Sequence, residues 1–319
     1  MNQAPISIGL SAAIVSVEKE EPYALVAARG FDSLPFGPFD PESHRTLEQG
    51  LRKWVGEQAR FDLGYTEQLY TFGDRGRHLS SSAGGGTRVV SVGYLALTRQ
   101  GKEATEAAGR EAIWRGWYHY FPWEDWRRAK PAMIEGLILP RLRQFTKDAA
   151  ASHAAELRRD RVRLCFGTDG VAWDEEKVLE RYELLYEAGL VKESSRDRGK
   201  PLPKIGPAGD LGAAMLYDHR RILATAIARL RGKMKYRPVV FELMAQEFTL
   251  LELQRTVEAL LGRRLHKQNF RRLVAEQGLV EGTGKFAASA RGRPAEFFRF
   301  RREVLRERPA PGLRLGARR

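Results

Sequence analysis

The chain has 319 residues, of which 43% are hydrophobic and 29% are charged, the composition of a globular protein long enough for two domains. Its one cysteine, Cys165, excludes an internal disulfide framework and a cysteine-based zinc cluster, and no apolar window reaches the ~18 residues of a transmembrane helix, so we expect a cytoplasmic protein. The net charge of +14 is uneven, because residues 229–319 hold 22 Lys and Arg against 9 Asp and Glu, while residues 1–228 hold 32 against 31.

The N-terminal part of the chain has an α/β pattern. Apolar, β-compatible runs at residues 6–17 and 23–28 flank a charged turn and predict a hairpin. A Pro- and Gly-rich loop is predicted at residues 31–43, and apolar side chains at helical spacing predict a helix at 46–60. Further strands are predicted at residues 69–72, 88–97 and 113–121, with a mobile Ser- and Gly-rich loop at 73–87.

The middle of the chain is predicted to be mostly helical. One helical stretch is expected at residues 131–161, and a second at 174–188, where Gly189 ends it. Residues 194–209 are rich in Pro, Gly and charge, which indicates a linker or an exposed excursion. Asp218 is predicted to cap a helix over residues 219–233 that leads into the basic region.

Two short helices are predicted next, joined by a Gly-containing turn. Thr249 and Glu252 have the spacing of a capping box, with Phe248 and Leu253 as the hydrophobic staple, so a helix is expected to begin near Leu250. Its apolar stripe ends at Gly262. A second helix is predicted at residues 266–277, and Gly278 follows it. This is the pattern of a helix-turn-helix, whose second helix can enter the major groove of DNA.

The residues after the second helix predict a β-hairpin wing. Its expected parts are residues 279–280, a turn around residues 282–284, then Phe286 and the alternating run 297–300. Between them, Arg291-Gly292-Arg293-Pro294 combines two guanidinium groups with a close backbone approach, which suits a narrow A·T-rich minor groove. A turn with solvated arginines is the alternative for this segment.

The predicted contacts to double-stranded DNA are basic and polar side chains of this region. Clustered positive charge supplies sequence-independent affinity for phosphates, although a solvated basic surface without a partner is the competing interpretation. The candidate DNA-binding residues are Arg264, Lys267, Gln268, Asn269, Arg271, Arg272, Lys285, Arg291 and Arg293.

The chain also resembles a known family. Residues 46–48, 61–74 and 90–97, and almost the whole stretch 217–300, resemble the Nudix-related transcriptional regulators of NAD metabolism (NrtR-like). The chain length and the segment Phe121-Pro122-Trp123-Glu124-Asp125-Trp126 favour the NadQ branch of that family. The resemblance covers roughly residues 6–125 and 215–300.

The resemblance implies an α/β (α+β) protein with a defined domain order. A Nudix-like mixed-sheet domain is expected at residues 1–130 and a mostly helical insertion at 131–213. A linker helix and winged helix-turn-helix are expected at 214–305, followed by a disordered basic tail at 306–319.

The catalytic motif of Nudix hydrolases is largely missing. That motif places three carboxylates on one helix to hold magnesium against a pyrophosphate. The positions that align with it are residues 53–60, and among them only Glu57 is a carboxylate. We therefore expect no efficient hydrolase, with Trp54 as core packing. Histidines 44, 78 and 119 lack metal-ligand spacing, so no metal site is predicted.

A binding pocket without its catalyst suits a sensor, and the resemblance implies an adenine nucleotide as its ligand. ATP is the first candidate, with NAD and ADP-ribose behind it. Phosphates need cationic or N–H donors and adenine needs an apolar or aromatic surface. The candidate ligand-binding residues are Arg29, Phe36, Glu57, Tyr70, Arg75 and Arg77, although surface arginines without a ligand are the alternative.

The sequence thus predicts a cytoplasmic, homodimeric repressor of NAD biosynthesis. The nucleotide is expected to favour a dimer geometry whose two recognition helices no longer match the operator half-sites. Two alternatives remain: a residual nucleotide-diphosphate hydrolase of Nudix type, and a constitutive nucleic-acid-binding protein that binds no nucleotide.

Overall fold

The computed structural model describes most of the chain. The described residues are 6–59, 63–73, 88–99, 112–201, 211–287, 294–307 and 310–313. Within these ranges no helix combines the length and the apolar character needed to cross a bilayer. The predicted mobile loop at 73–87 falls almost entirely outside them.

A seven-stranded mixed sheet forms the N-terminal part of the protein. Its strands are β1 (Ile6–Glu18), β2 (Glu21–Arg29), β3 (Phe31–Ser33), β4 (Phe36–Pro38), β5 (Tyr65–Phe72), β6 (Arg88–Leu97) and β7 (Ala112–Gly116). The order is β3-β2-β1-β6-β5, and β4 and β7 pair with β1 and β2. The sheet is mixed because β1 and β6 run parallel while the other pairs are antiparallel. The predicted mixed α/β fold is confirmed.

Two predictions for this part need correction. The predicted loop at 31–43 contains β3 and β4, which are too short to give a periodic sequence signal. The predicted strand at 113–121 ends at Gly116, and single 3₁₀ turns follow at Trp117–His119 and Pro122–Glu124. Three aromatic side chains of this segment, Trp117, Phe121 and Trp123, are fully buried, so its apolar character reflects the core and not a strand.

Different helices cover the two faces of the sheet. Helix α1 (Leu47–Ala59) covers one face, where Leu51 and Val55 pack with Leu10 and Ile14. Alternate residues of β1, Ala13 and Val15, point to the other face because side chains alternate along a strand. That second face lies in a larger core that includes α6 (His219–Lys233).

A helical segment follows the sheet. It contains one π-helical turn, Ile134–Ile138, and the helices α2 (Leu139–Lys147), α3 (Ser152–Phe166), α4 (Val178–Glu187) and α5 (Lys192–Asp197). The predicted stretch 131–161 is therefore broken between α2 and α3, and α4 begins later than expected. Helix α5 overlaps the start of the predicted linker at 194–209, of which residues 202–209 are outside the described ranges. Helix α6 has its predicted bounds, but Asp218 makes no side-chain capping bond.

The C-terminal part has the predicted winged helix arrangement. Helices α7 (Leu250–Leu261) and α8 (Lys267–Gln277) end at Gly262 and Gly278, both in the left-handed conformation. The capping box is confirmed, since the Glu252 amide donates to Thr249 Oγ1 at 3.2 Å and the Thr249 amide donates to Glu252 Oε2 at 2.6 Å. Three strands form the wing sheet in the order β8-β10-β9: β8 (Phe248–Thr249), β9 (Val280–Phe286) and β10 (Glu296–Phe300). The turn predicted around residues 282–284 is wrong, because these residues lie inside β9.

One hydrophobic core runs through all three parts of the chain. It joins Val15 and Trp123 to Tyr182 in the helical segment, and to Leu253 and Phe270 in the winged helix. The predicted disorder of the basic tail is not met at residues 310–313, where the buried Leu313 donates its amide to the Met234 carbonyl at 3.0 Å. Residues 314–319 lie outside the described ranges. A short helix α9 (Val304–Glu307) precedes this contact.

Candidate nucleic-acid interface

Helix α8 presents a polar face to solvent. Phe270 and Val274 are buried and attach the helix to the core. The predicted contacts on α8 are all exposed, and they are Lys267, Gln268, Asn269, Arg271 and Arg272. Because they share one short helix, the structure brings together the donors that the sequence predicted.

Most of these side chains are unengaged in the part of the chain that the structure describes. There, Lys267, Gln268, Asn269 and Arg271 form no side-chain hydrogen bond and no ion pair. Arg272 lies 3.8 Å from Glu276, and both side chains are well exposed, so this pair contributes little. Helix α8 therefore offers several donors whose use by a ligand would break no strong internal bond.

Two other predicted DNA contacts are engaged within the chain. Arg264, in the turn before α8, donates to Glu258 at 2.7 Å and lies 3.6 Å from Glu20 in the β1–β2 turn. Lys285 of β9 donates to Glu247 at 2.7 Å. Arg291 and Arg293 lie outside the described residues, so the minor-groove prediction remains a prediction.

A buried carboxylate organises the turn between α7 and α8. Glu258 is 1% exposed and accepts hydrogen bonds from Gln254, Arg264 and the amide of Leu265. Burial alone would raise the pKa of Glu258, but these hydrogen bonds outweigh it and lower the pKa. Sequence reasoning missed this residue, because a Glu on a helix normally indicates a solvated position.

The candidate ligand-binding residues lie on opposite faces of the sheet. Phe36 is 39% exposed, and its ring lies 5.0 Å from that of His219 at the start of α6. Tyr70 is exposed and contacts Phe72, which belongs to the core on the α6 side. Glu57 is exposed on α1, across the sheet. Phe36 and Tyr70 therefore lie on the face of the sheet that α6 covers, and Glu57 lies on the other face. Arg75, Arg77 and the side chain of Arg29 are outside the described residues.

Trp54 is half-buried and belongs to neither hydrophobic cluster of the described residues, so it packs beside strand β4 and not in the core as predicted. Its indole lies against Gly37 so closely that a side chain at Gly37 would overlap it, and its Nε1 donates to the Pro38 carbonyl at 2.8 Å. Across the described residues, no group of three or more His, Cys, Asp or Glu side chains could hold a metal ion.

A fully buried charge network joins the sheet domain to the helical segment and α6. Glu124 accepts hydrogen bonds from Arg181 at 2.6 and 2.9 Å and from Arg231 at 2.7 Å, and both guanidinium groups are 0% exposed. Burial would raise the pKa of Glu124, but the two positive charges and their hydrogen bonds lower it. Arg181 also donates to the carbonyls of Cys165 and Asp174, and Arg231 to those of Glu175 and Leu260. Arg231 Nη2 donates further to the Tyr118 hydroxyl at 3.5 Å.

The C-terminal end of α7 is bonded to residues outside the winged helix. Tyr118 donates its hydroxyl to the Ala259 carbonyl at 2.6 Å, and Arg231 Nε donates to the Leu260 carbonyl at 2.8 Å. The Trp126 amide donates to the Gly262 carbonyl at 2.6 Å. Sequence reasoning did not identify these contacts, because their partners are far apart in the chain.

Comparisons with known proteins agree with this architecture. The family model of the NrtR DNA-binding winged helix domain matches residues 240–300. A curated relative, the "ADPR responsive transcriptional repressor NtrR" of Acinetobacter baylyi, is 41% identical over 86 residues, which are 27% of this chain and about a third (34%) of the relative.

Two solved structures share the fold over most of their length. Shewanella oneidensis NrtR, complexed with a 27mer DNA, superposes with a TM-score of 0.54 at 20% identity, covering 93% of this chain and 94% of that one. A MutT/nudix family protein from Enterococcus faecalis gives a TM-score of 0.52 at 15% identity, covering 94% of this chain and 88% of that one. The resemblance stated from the sequence is thus confirmed: residues 240–300 match the NrtR winged helix domain, and the fold of the chain is similar to that of NrtR, with a Nudix-like mixed-sheet domain.

Proposed function

We propose that the protein is a DNA-binding transcriptional repressor whose Nudix-like domain binds ADP-ribose. The observation that supports DNA binding is the exposed polar face of α8, most of whose side chains form no bond with other described residues. The second helix of a helix-turn-helix enters the major groove, where Arg, Lys, Gln and Asn are the side chains that read base edges. The relatives that are described as a repressor and as a DNA complex support the same function.

For the effector, the proposal changes the order of the candidate nucleotides. ADP-ribose takes first place because the Acinetobacter relative is named as ADPR responsive. ATP and NAD share its adenine and diphosphate groups, so they remain competitors in the test. Phe36 and Tyr70 supply aromatic surface beside α6, and aromatic side chains stack on bases. We propose binding without efficient hydrolysis, since Glu57 is the one carboxylate kept from the aligned motif and it lies across the sheet from Phe36.

The remaining elements of the proposal are those that the resemblance to the Nudix-related regulators implies. The operator is expected in a promoter of NAD biosynthesis, and the active species is expected to be a homodimer in the cytoplasm. Two copies of α8 would then read two half-sites about 34 Å apart. The divisions at residues 130, 213 and 305 remain the proposed domain boundaries.

Replacing Arg271 with Ala should weaken specific DNA binding by about 1–3 kcal/mol, because a guanidinium that reads a base edge would be lost. Fluorescence anisotropy on the NAD-biosynthesis promoter duplex, at fixed salt and against a scrambled duplex, measures this change. Arg143→Ala is the matched control, since it removes one exposed positive charge in the helical segment. Equal affinities for both duplexes, or equal losses in both variants, would show general electrostatic binding and reject the assignment.

Replacing Phe36 with Ala should weaken ADP-ribose binding by about 1–3 kcal/mol if its ring stacks on the adenine. Isothermal titration calorimetry with ADP-ribose, ATP and NAD in separate titrations measures the loss and ranks the effectors. Phe286→Ala serves as the control, because this ring is 58% exposed on the wing strand β9. Wild-type protein that binds none of the three nucleotides would instead support the constitutive nucleic-acid-binding alternative.

A further inference from the structure

Helix α6 links the candidate ligand site to the winged helix. Its first residue, His219, has its ring centroid 5.0 Å from that of Phe36, and Tyr217, two residues before the helix, has its ring centroid 5.9 Å from it. Near its end, the Arg231 guanidinium contacts the Leu260 carbonyl of α7. With 15 residues at 1.5 Å each, the helix spans about 22 Å. Helix α6 therefore contacts both the candidate ligand site and the winged helix.

The contacts at the end of α7 are placed to orient α8. The last carbonyls of a helix have no partner inside the helix and need donors from elsewhere. Here the donors for Ala259, Leu260 and Gly262 come from Tyr118, Arg231 and Trp126, none of which belongs to the winged helix. Only a four-residue turn separates Gly262 from the first residue of α8, Lys267. The direction of α8 therefore depends on where these three donors stand.

The donors are themselves held by the buried network. Arg231 donates to Glu124 at 2.7 Å and to the Glu175 carbonyl at 2.8 Å, which fixes its guanidinium from two further directions. Tyr118 and Trp126 flank Glu124 in sequence. A displacement of α6 or of residues 118–126 would consequently reach the carbonyls of α7 through direct hydrogen bonds.

We propose that Tyr118 and Arg231 are positioning residues that couple nucleotide binding at the sheet domain to the orientation of α8. This inference rests on the proposed function. A ligand shifts a conformational equilibrium only by its differential affinity for the two states, and bonds that cross the boundary between the parts let such a difference reach α8. The single hydroxyl of Tyr118 is the member that can be removed with the least disturbance, since its ring, which stacks under Arg127 at 4.9 Å, is kept in Phe.

The proposal is tested by measuring how strongly ADP-ribose changes the operator affinity of the Tyr118→Phe variant. The operator Kd is measured by anisotropy with and without saturating ADP-ribose, and the ratio of the two values is the coupling. We expect the variant ratio to move at least threefold towards 1, while the ADP-ribose Kd without DNA stays close to wild type and the melting temperature falls by only a few degrees, the cost of one lost buried hydrogen bond. Tyr186→Phe is the matched control, because it removes a hydroxyl that bonds Asp197 at 3.0 Å inside the helical segment.

The possible outcomes separate the two proposals. A wild-type ratio different from 1 that is unchanged in Tyr118→Phe would overturn the positioning role and leave the proposed function intact. Equal reductions in Tyr118→Phe and Tyr186→Phe would also overturn it, because a general loss of packing would explain both. A wild-type ratio of 1 would overturn the proposed regulation itself and the coupling with it.

Discussion

Glu124→Gln is expected to lower the free energy of unfolding by about 3–5 kcal/mol, the cost of removing one partner from a buried ion pair. Two guanidinium groups with 0% exposed side chains would lose the carboxylate that neutralises them. Urea denaturation of the purified protein measures the change. Glu135→Gln is the control, since it breaks an exposed pair with Lys130 and should cost no more than about 1 kcal/mol. Similar losses in both variants would mean that the Glu124 network adds little to stability.

The pH dependence of the unfolding free energy, compared between wild type and Glu124→Gln, gives an independent check. The pKa of Glu124 is lowered in the folded protein, because Arg181 and Arg231 outweigh the effect of burial. A depressed carboxyl pKa contributes stability that is present above the unfolded value, about 4.3, and is lost as the pH falls through the folded pKa. The difference in unfolding free energy between wild type and Glu124→Gln should therefore be constant near neutral pH and should shrink as the pH falls below about 4.

Gly262→Ala is expected to destabilise the protein by at least about 2 kcal/mol and to reduce specific DNA binding. Gly262 has φ of 74°, which costs a residue with a side chain about 1–2 kcal/mol. A Cβ there would also overlap the Glu124 carbonyl oxygen and lie 2.8 Å from the Tyr118 hydroxyl. Because both neighbours belong to the contact that holds α7, relief of the overlap would displace α8.

Gly284→Ala is the matched control, because it carries the backbone cost without the overlap. Gly284 has φ of 73°, but an added Cβ would meet nothing within 4 Å. Both substitutions therefore carry the backbone cost, and only Gly262→Ala carries the overlap. Thermal or urea denaturation together with operator binding measures the difference. If the two variants lose the same stability and affinity, the close approach of Gly262 to Glu124 has no energetic consequence.

Features that depend on neighbouring residues could be predicted from the sequence. The capping box of Thr249 and Glu252 acts over three residues, and it is present as expected. The bounds of α6 and the exposed donors of α8 also follow from local helical spacing. The resemblance to the Nudix-related regulators added the order of the domains, which spacing alone does not give.

Features that depend on distant residues could not be predicted. Glu124 meets Arg181 and Arg231 across 57 and 107 positions, and no local pattern marks a charged residue as buried. The placement of the ligand candidates could not be predicted for the same reason. Phe36 and Glu57 are 21 positions apart in the sequence, but the sheet separates them, and the sequence does not show which face each element covers.

The shared hydrophobic core limits how such a regulator can change its target. Residues of the sheet, the helical segment and the winged helix are buried in one cluster, so a winged helix taken from another regulator would meet the wrong partners at every boundary. The outward face of α8, in contrast, holds side chains on which the described fold does not depend. Evolution of a new operator preference would therefore proceed by single substitutions on that face, and not by exchange of the whole domain.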